Sequence, residues 1–396
     1  MSPPVVHVNP MGGFANRMIQ AMVAMTIASQ VPGCVLSNIM IPEWGLHAPA
    51  VPAGEARRHV LADERFDLAH WVAQLASGAV ERLEVQVYGQ RLEYFLPPAL
   101  YRQAFPAAAM PGEDEAPGFE PGQLVCSIRG GEVLDGRHPG YVLLPVEFYA
   151  DLVAATGLAP VFLGQLDPNG YTAALRARFP GALFVDSRGP MVDFAQLFRS
   201  RNIVPSVSTF AWLAAWLSNA DQVFLPVDGM LHPVMGPHAN LLPLDDPRYR
   251  FFLFPANYAV PVEAHEPVHR ALLGQWRLVE PAMLREMFRV VPRLPRRFDR
   301  IGTLFDEAFY LASHPDVREA VAAGSYARGH EHYVAHGFAE KRVAVPIDAA
   351  WYARTYPLAA QEIGEGWYAD PEHHYVEIGR ARGYRQGCST LLDGRH

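Results

Sequence analysis

An arginine followed by two glycines stands directly after a short apolar run in the middle of the sequence. Residues 127–132 read SIRGGE and include Ser127, Arg129 and Glu132. A guanidinium is planar, permanently charged and able to bind phosphate oxygens in pairs. Because open α/β sheets place ligands at the carboxyl ends of their strands, Arg129 is a candidate phosphate ligand. An ion pair of Arg129 with Glu132 or another surface carboxylate explains the segment alone equally well.

Hydroxyl side chains open an apolar run further along the chain. Ser206, Ser208 and Thr209 precede residues 210–217, which read FAWLAAWL and begin with Phe210. Ser and Thr at a helix start commonly cap the first turn, and capping is the simpler explanation. The same hydroxyls, with free backbone N–H groups, are also what a diphosphate would use.

A third segment lies near the start of the chain, where Gly12, Gly13, Asn16 and Arg17 follow a short β-branched run. Glycines at such a turn let backbone approach a ligand closely, and the following helix start offers N–H groups to an anion. The spacing is neither G-x-G-x-x-G nor a P-loop. An ordinary strand-to-helix turn is the alternative.

The elements around these segments alternate between strand and helix patterns. In the first part we predict strands at 5–8, 34–36 and 83–87, and helices at 15–29 and 66–77. In the second part we predict strands at 124–128, 161–164, 182–185 and 202–204, and helices at 145–156, 171–178 and 191–200. Residues 107–122 are rich in Pro, Gly and acidic residues and predict a linker. The alternation predicts an α/β fold with two parallel sheets.

Composition excludes several classes of protein. The 396 residues carry 33 basic and 41 acidic side chains, a net charge of -8, so no basic surface for nucleic acid is expected. Three unpaired-looking cysteines, Cys34, Cys126 and Cys388, favour a reducing compartment over a disulfide framework. No apolar run approaches the roughly 20 residues of a membrane span. We expect a cytoplasmic protein, which can still lie at the inner face of the membrane through a partner or a lipid-linked acceptor.

A repeat of 42 residues marks the last part of the chain. Phe305, Phe309-Tyr310, Pro315, Gly324, Tyr326, His332-Tyr333 and Gly337 recur as Ile347, Trp351-Tyr352, Pro357, Gly366, Tyr368, His374-Tyr375 and Gly379. The predicted domains are therefore 1–115, 120–262 and 265–396, the last a helical region. The repeat resembles one appended to bacterial polysaccharide-building and surface-associated proteins. An accessory module for acceptor binding or homo-oligomer assembly and a stabilising helical cap are both open.

The three segments together resemble, in order, the motifs of the α-1,2-fucosyltransferases. Residues 12–18 (GGFANRM) resemble the family's GGLGNQM, and residues 127–132 are similar to its HIRRGD. Residues 206–217 (SVSTFAWLAAWL) resemble its SNSSFSWWAAWL. The protein O-fucosyltransferases and α-1,6-fucosyltransferases share this layout. The resemblance covers about residues 5–230.

This resemblance implies a GT-B-like pair of Rossmann-like domains with parallel sheets, followed here by a C-terminal α-helical repeat region. It implies an inverting, metal-independent glycosyltransferase that moves a sugar, with fucose favoured, from a nucleoside diphosphate, with GDP favoured, to a glycan or protein acceptor. No cofactor is expected besides this nucleotide-sugar substrate. Arg129 would hold the diphosphate, Asp193 would accept from the guanine edge, and Gly13 and Asn16 would face the cleft. The expected donor-binding residues are Gly12, Gly13, Asn16, Arg17, Ser127, Asp193, Ser206, Ser208, Thr209 and Phe210.

Several positions depart from the family pattern. Ser127 replaces the family histidine, Gly130 replaces the second arginine, and Glu132 replaces an aspartate. Arg17 replaces a glutamine and can supply the missing positive charge from the opposite side of the cleft. The departures leave a different sugar, a different nucleotide or lost activity open.

Catalysis is expected from Arg129 and from a carboxylate acting on the acceptor hydroxyl. Fixed cations and oriented N–H groups stabilise the charge that builds on a leaving phosphate. Candidates for a general base are Glu43, Glu132 and Asp167, each with an ordinary surface carboxylate as the alternative. No metal-ligand spacing such as H-E-x-x-H occurs. The alternative function is a catalytically degenerate glycan- or nucleotide-binding protein that acts through its C-terminal repeats.

Overall fold

The computed structural model describes residues 3–54, 56–105, 109–136, 140–236, 239–255, 259, 262, 265–290, 305–337, 340, 342–364, 368, 370–379, 382 and 384–387. Cys388 and Gly366 lie outside the described residues, and only the backbone of Glu132 is described.

A four-stranded parallel sheet forms within the first hundred residues. The elements are β1 (Val5–Val8), α1 (Phe14–Ser29), β2 (Val35–Ser37), β3 (Ile39–Ile41), β4 (Leu46–Ala48), β5 (Arg58–Leu61), α2 (Leu68–Ala76), β6 (Arg82–Val85) and α3 (Pro98–Ala104). The sheet order is β2-β1-β6-β5, and every neighbouring pair is parallel. The β3–β4 pair forms a separate antiparallel hairpin around Gly45, whose φ of 62° favours glycine.

A seven-stranded sheet follows. Its strands are β7 (Gln123–Arg129), β8 (Ala159–Gln165), β9 (Leu183–Asp186), β10 (Asn202–Val204), β11 (Gln222–Val227), β12 (Tyr249–Leu253) and β13 (Arg277–Val279). The helices of this part of the chain are α4 (Val146–Thr156), α5 (Gly170–Arg178), α6 (Pro190–Arg199), α7 (Thr209–Leu217), α8 (His265–Leu272) and α9 (Pro281–Val290). The strand order is β13-β12-β11-β10-β7-β8-β9. The pairs from β11 through β9 are parallel, and β12–β13 is antiparallel. The predicted α/β class with parallel sheets is confirmed.

The helices α1, α3 and α7 join the two α/β parts through a shared core. The Tyr101 hydroxyl of α3 lies 2.7 Å from the Thr26 hydroxyl of α1, and both side chains are buried. From the same helix, Arg102 donates to the carbonyl of Leu217 at the end of α7 (2.9 Å). Because α7 is apolar along almost its whole length and buried except at Phe210, it needs helices on more than one side.

The chain divides into two compact units. The first comprises Met1–Gly131, Val146–Leu225 and His238–Arg250, and the second comprises Glu132–Pro145, Pro226–Pro237 and Phe251–His396. The first unit contains the four-stranded sheet, α1, α3 and α7. The second contains the helices after residue 305. The three domain ranges expected from the sequence stay a prediction.

Six short helices form two successive groups in the second unit. They are α10 (Glu307–Ser313), α11 (Pro315–Ala322), α12 (Gly329–His332), α13 (Ala349–Thr355), α14 (Pro357–Gly364) and α15 (Pro371–His374). Each group ends in a π-helical turn, at Tyr333–Gly337 and Tyr375–Gly379. The Tyr310 hydroxyl lies 3.2 Å from His332 Nδ1, and the Tyr352 hydroxyl lies 2.9 Å from His374 Nδ1. Equivalent contacts therefore stand 42 positions apart, as in the sequence pattern.

Among the described helices, none combines the length and the apolar character needed to cross a membrane.

Candidate functional site

The second and third sequence motifs meet at the carboxyl edge of the seven-stranded sheet. Strand β7 ends at Arg129, and its parallel neighbour β10 ends at Val204, five residues before α7. Parallel neighbours place their carboxyl ends at one edge, which is where open α/β sheets bind ligands. The motifs, which lie some eighty residues apart in the chain, thus reach one place.

A chain of three serine hydroxyls links these motifs. Ser127 Oγ lies 3.3 Å from Ser206 Oγ, which lies 3.1 Å from Ser208 Oγ. Ser208 Oγ in turn accepts from the backbone N–H of Ala211 (3.2 Å), so it caps α7. All three serines are buried. The capping interpretation of Ser208 is therefore correct, and the cap is connected to the end of β7.

Arg129 and Thr209 complete this edge. In a strand, side chains two residues apart point to the same face, so Arg129 leaves β7 on the same face as Ser127. Arg129 is partly exposed, whereas Thr209, the first residue of α7, is 5% exposed. No hydrogen bond joins the Thr209 hydroxyl to another described residue. Hydroxyls, N–H groups of a helix start and a guanidinium are the groups that bind a phosphate.

Gln165 at the end of β8 packs closely against the two glycines after Arg129, with its backbone against Gly130 and its side chain against Gly131. A Cβ on Gly130 would lie 2.5 Å from the Gln165 carbonyl oxygen, and one on Gly131 would lie 2.7 Å from Gln165 Nε2. The Gly131 N–H donates to Gln165 Oε1 (3.0 Å). Gln165 belongs to none of the three sequence motifs, and its place at the end of the strand next to β7 is the feature by which it could be predicted.

The first motif forms the expected turn between β1 and α1. Gly12 has φ +68°, and Gly13 is the N-cap of α1. Buried Gln20 of α1 accepts from the N–H of Met11 (2.8 Å), which fixes the turn. Asn16 Oδ1 accepts from Gln90 Nε2 (3.1 Å) in the loop after β6.

Arg17 and Glu43 form an ion pair. Arg17 Nη2 lies 2.8 Å from Glu43 Oε1, and Arg17 Nη1 donates to the carbonyl of Met40 (3.1 Å). Both side chains are about one quarter exposed, 26% and 27%. Arg17 therefore has a partner in its own α/β part, and the role expected for it as a charge facing the diphosphate stays a prediction.

Aromatic rings connect the first motif to the third. The Phe14 ring lies 6.1 Å from Phe210 and 5.8 Å from Phe194 of α6. Trp44 stacks on Phe14 at 6.4 Å and meets Phe194 edge-on at 5.4 Å. We call these four residues the aromatic cluster. It brings the start of α1 next to the start of α7.

Asp193, in the first turn of α6, is hydrogen-bonded to the loop that precedes this helix. Its carboxylate accepts from the Ser187 hydroxyl (2.5 Å) and from the N–H of Arg188 (3.1 Å). Burial raises the pKa of Asp193, and these hydrogen bonds oppose the rise. The side chain is 8% exposed, so a contact with a guanine edge stays a prediction.

Two further general-base candidates from the sequence are Glu132 and Asp167. The Glu132 side chain lies outside the described residues, and Asp167 is exposed. Within the described ranges, no group of three or more His, Cys, Asp or Glu side chains is placed to hold a metal ion.

A cavity of about 500 Å³ opens at the opposite, amino edge of the seven-stranded sheet. Arg199, Arg201 and Asn219, which line it, precede β10 and β11. Arg199 donates to the carbonyl of Ala116 (2.5 Å), and Arg201 pairs with Asp221 (2.8 Å). These cations hold loops and neighbouring carboxylates, and the cavity lies away from the three motifs.

Two solved structures to which this chain is similar are distant neighbours. No family model and no curated protein matches the sequence. A mutant of Arabidopsis thaliana FUT1 in complex with GDP is 9% identical, with 57% of this chain and 70% of that chain covered and a TM-score of 0.36. E. coli ADP-heptose LPS heptosyltransferase II is 14% identical, with 68% and 98% covered and a TM-score of 0.31. At these values neither neighbour indicates the activity of this chain.

Proposed function

We propose that the chain is a GT-B glycosyltransferase that transfers a sugar from a nucleoside diphosphate donor to a glycan or protein acceptor. The observation that supports this is the junction of β7 and α7. There the serine chain Ser127–Ser206–Ser208, the Thr209 hydroxyl and the face of β7 that carries Arg129 come together.

In the proposed reaction the donor diphosphate lies at this junction. Breaking the bond between the anomeric carbon and the β-phosphate leaves negative charge on the phosphate. The Arg129 guanidinium and the N–H groups at the start of α7 stabilise that charge without reorganising, which is worth several kcal/mol in such sites. Ser208 holds the helix start in place, and Thr209 offers a hydroxyl to the phosphate.

We propose GDP as the nucleotide and fucose as the sugar because of the motif resemblance, and we propose that the transfer inverts the anomeric centre without a metal. The C-terminal repeats are proposed to be an accessory module. Three of their tyrosines, Tyr310, Tyr333 and Tyr352, are almost fully buried, so any acceptor contact uses other residues of these helices.

A nucleotide panel tests the proposal. We expect GDP to raise the melting temperature more than UDP, CMP or ADP, and GDP-fucose to be hydrolysed or transferred equally well in EDTA. A larger response to UDP changes the donor and keeps the enzyme class. If no nucleoside diphosphate stabilises the full chain while a glycan does, the alternative of a catalytically degenerate binding protein replaces the proposal.

A further inference from the structure

We propose that Glu43 is the group that takes the proton from the attacking hydroxyl, with Arg17 as its positioning residue. This inference rests on the proposed function and adds the acceptor side of the reaction to it. It also gives Arg17 a role different from binding phosphate.

The ion pair leaves the two oxygens of Glu43 in different situations. Oε1 is held by Arg17 Nη2 at 2.8 Å, and the second nitrogen of the guanidinium is anchored on the Met40 carbonyl at 3.1 Å. Oε2 is buried and has no hydrogen-bond partner among the residues that the structure describes. Because the guanidinium is itself anchored on the Met40 carbonyl, it holds the carboxylate that it pairs with in a defined orientation.

The next residue has a hydrogen-bond donor that is also buried and without a partner among the described residues. Trp44 is 2% exposed, and within the described part of the chain its indole Nε1 has no acceptor. Both residues belong to one 3-10 turn, Pro42–Trp44. Buried polar groups in proteins are nearly always satisfied, so an acceptor and a donor left over on consecutive residues point to a ligand. A hydroxyl, from a sugar or from water, both donates and accepts hydrogen bonds, so it can satisfy an unpaired atom of either kind.

The turn is also connected to the proposed donor site through the aromatic cluster. Trp44 stacks on Phe14, and Phe14 contacts Phe210, the second residue of α7. The proposed diphosphate lies at the start of α7, and the anomeric carbon of a donor is one oxygen away from the β-phosphate. The carboxylate thus belongs to the residue next to Trp44, whose ring contacts reach the start of α7 through Phe14.

The proposed step balances as follows. The acceptor O–H proton passes to Glu43 Oε2, and the freed oxygen pair forms the new bond to the anomeric carbon. The electron pair of the breaking bond leaves with the β-phosphate, where the Arg129 guanidinium meets it. Arg17 touches neither substrate and holds Glu43 in orientation.

The test compares Glu43→Gln with the wild-type protein and with Glu81→Gln as a matched control, since Glu81 forms an exposed pair with Arg57 in the same sheet part. Nucleoside diphosphate release from the donor identified by the panel is measured, with water as the acceptor. We expect a fall of roughly 100-fold or more in kcat for Glu43→Gln, in line with general base catalysis, with the GDP melting shift unchanged. Glu81→Gln should behave as wild type.

Two further variants separate the base from a structural role. In Glu43→Ala, sodium azide, which needs no base, should restore turnover and give a glycosyl azide of inverted configuration. In Arg17→Met, kcat should fall with GDP affinity retained, whereas a phosphate-binding Arg17 would lose GDP affinity. If Glu43→Gln fails to fold, Trp44→Phe gives the readout, with a fall of roughly 10-fold in kcat and the GDP shift retained.

The outcomes are separable from those of the proposed function. If wild type binds GDP and turns over donor while Glu43→Gln stays within threefold of it, this inference is overturned and the proposed function stands. A fall in activity that azide leaves unrestored and that accompanies loss of the GDP shift overturns it too, because Glu43 then only maintains the fold. A wild type that binds no nucleotide or releases none overturns both.

Discussion

Gly12 shows how strongly a single residue constrains the candidate site. Its φ of +68° lies in the region that L side chains rarely adopt, and an added Cβ would lie 2.6 Å from Asn16 Nδ2 and 3.2 Å from Tyr88 Cε1. The adjacent Gly13 has φ −78°, and nothing lies within 4 Å of an added Cβ. Two neighbouring glycines that look equal in the sequence therefore have different structural roles.

Gly12→Ala should lower the free energy of unfolding by about 1–3 kcal/mol, because the backbone strain and the displaced Asn16 add together. Gly13→Ser should change it by less than about 0.5 kcal/mol, since serine is a favoured N-cap. Urea unfolding of both variants measures the difference. Equal losses in the two would contradict the assigned backbone geometry.

Elements with a clear hydrophobic pattern were predicted closely from the sequence. The helix predicted at 15–29 is Phe14–Ser29, and the strand at 202–204 matches Asn202–Val204. Strand β5 was missed because Arg58, His59 and Val60 are all exposed, so no buried alternation marks it. The β3–β4 hairpin was also missed, since each strand has only three residues.

Contacts between elements could not be predicted in the same way. The sequence placed Ser127 at a strand end and Ser208 at a helix start, but the Ser127–Ser206 contact joins residues 79 positions apart. The Arg17–Glu43 pair joins residues 26 positions apart. Such pairs depend on strand order and helix packing, which a single sequence pattern does not encode.

The two helical groups at the C-terminus provide a prediction at the element scale. In the second group the Tyr352 hydroxyl lies against the Cα of Gly379, so an added Cβ would overlap it. Gly379→Ala should therefore displace Tyr352 and its contact with His374, and should lower stability by about 1–3 kcal/mol, as overpacking does. Thermal unfolding of the full chain with near-UV circular dichroism measures this.

Gly364→Ala is the matched control, because nothing lies within 4 Å of its added Cβ at the end of α14. It should leave stability unchanged or slightly higher. If Gly379→Ala is tolerated as well as Gly364→Ala, the packing of the tyrosine on the glycine is not a requirement of the fold.

Within the first unit, the two α/β parts share one core rather than two. The aromatic cluster of Phe14, Trp44, Phe194 and Phe210 is contributed by α1, the turn after β3, α6 and α7. Phe194 is fully buried and contacts the other three rings. The same cluster brings the first motif to the third, so the packing that stabilises the unit also assembles the candidate site.

Phe194→Ala should lower the free energy of unfolding by about 3–5 kcal/mol, because a large buried ring is lost from a core that both parts share. Leu100→Ala, at a position of α3 that is 46% exposed, should cost less than about 1 kcal/mol. In calorimetry, Phe194→Ala should lower the temperature of a single unfolding transition, because the two α/β parts unfold together. A new transition from one part only would contradict a shared core.

The central claim is that the end of β7 and the start of α7 bind a diphosphate. Isothermal titration of GDP into wild type, Arg129→Ala and Arg201→Ala tests it most directly, because Arg201 lies on the same sheet at the opposite edge and pairs with Asp221. Loss of a charged phosphate contact should raise the Kd of Arg129→Ala by roughly 10- to 100-fold, while Arg201→Ala keeps the wild-type value. Equal GDP affinity in all three proteins would contradict the account.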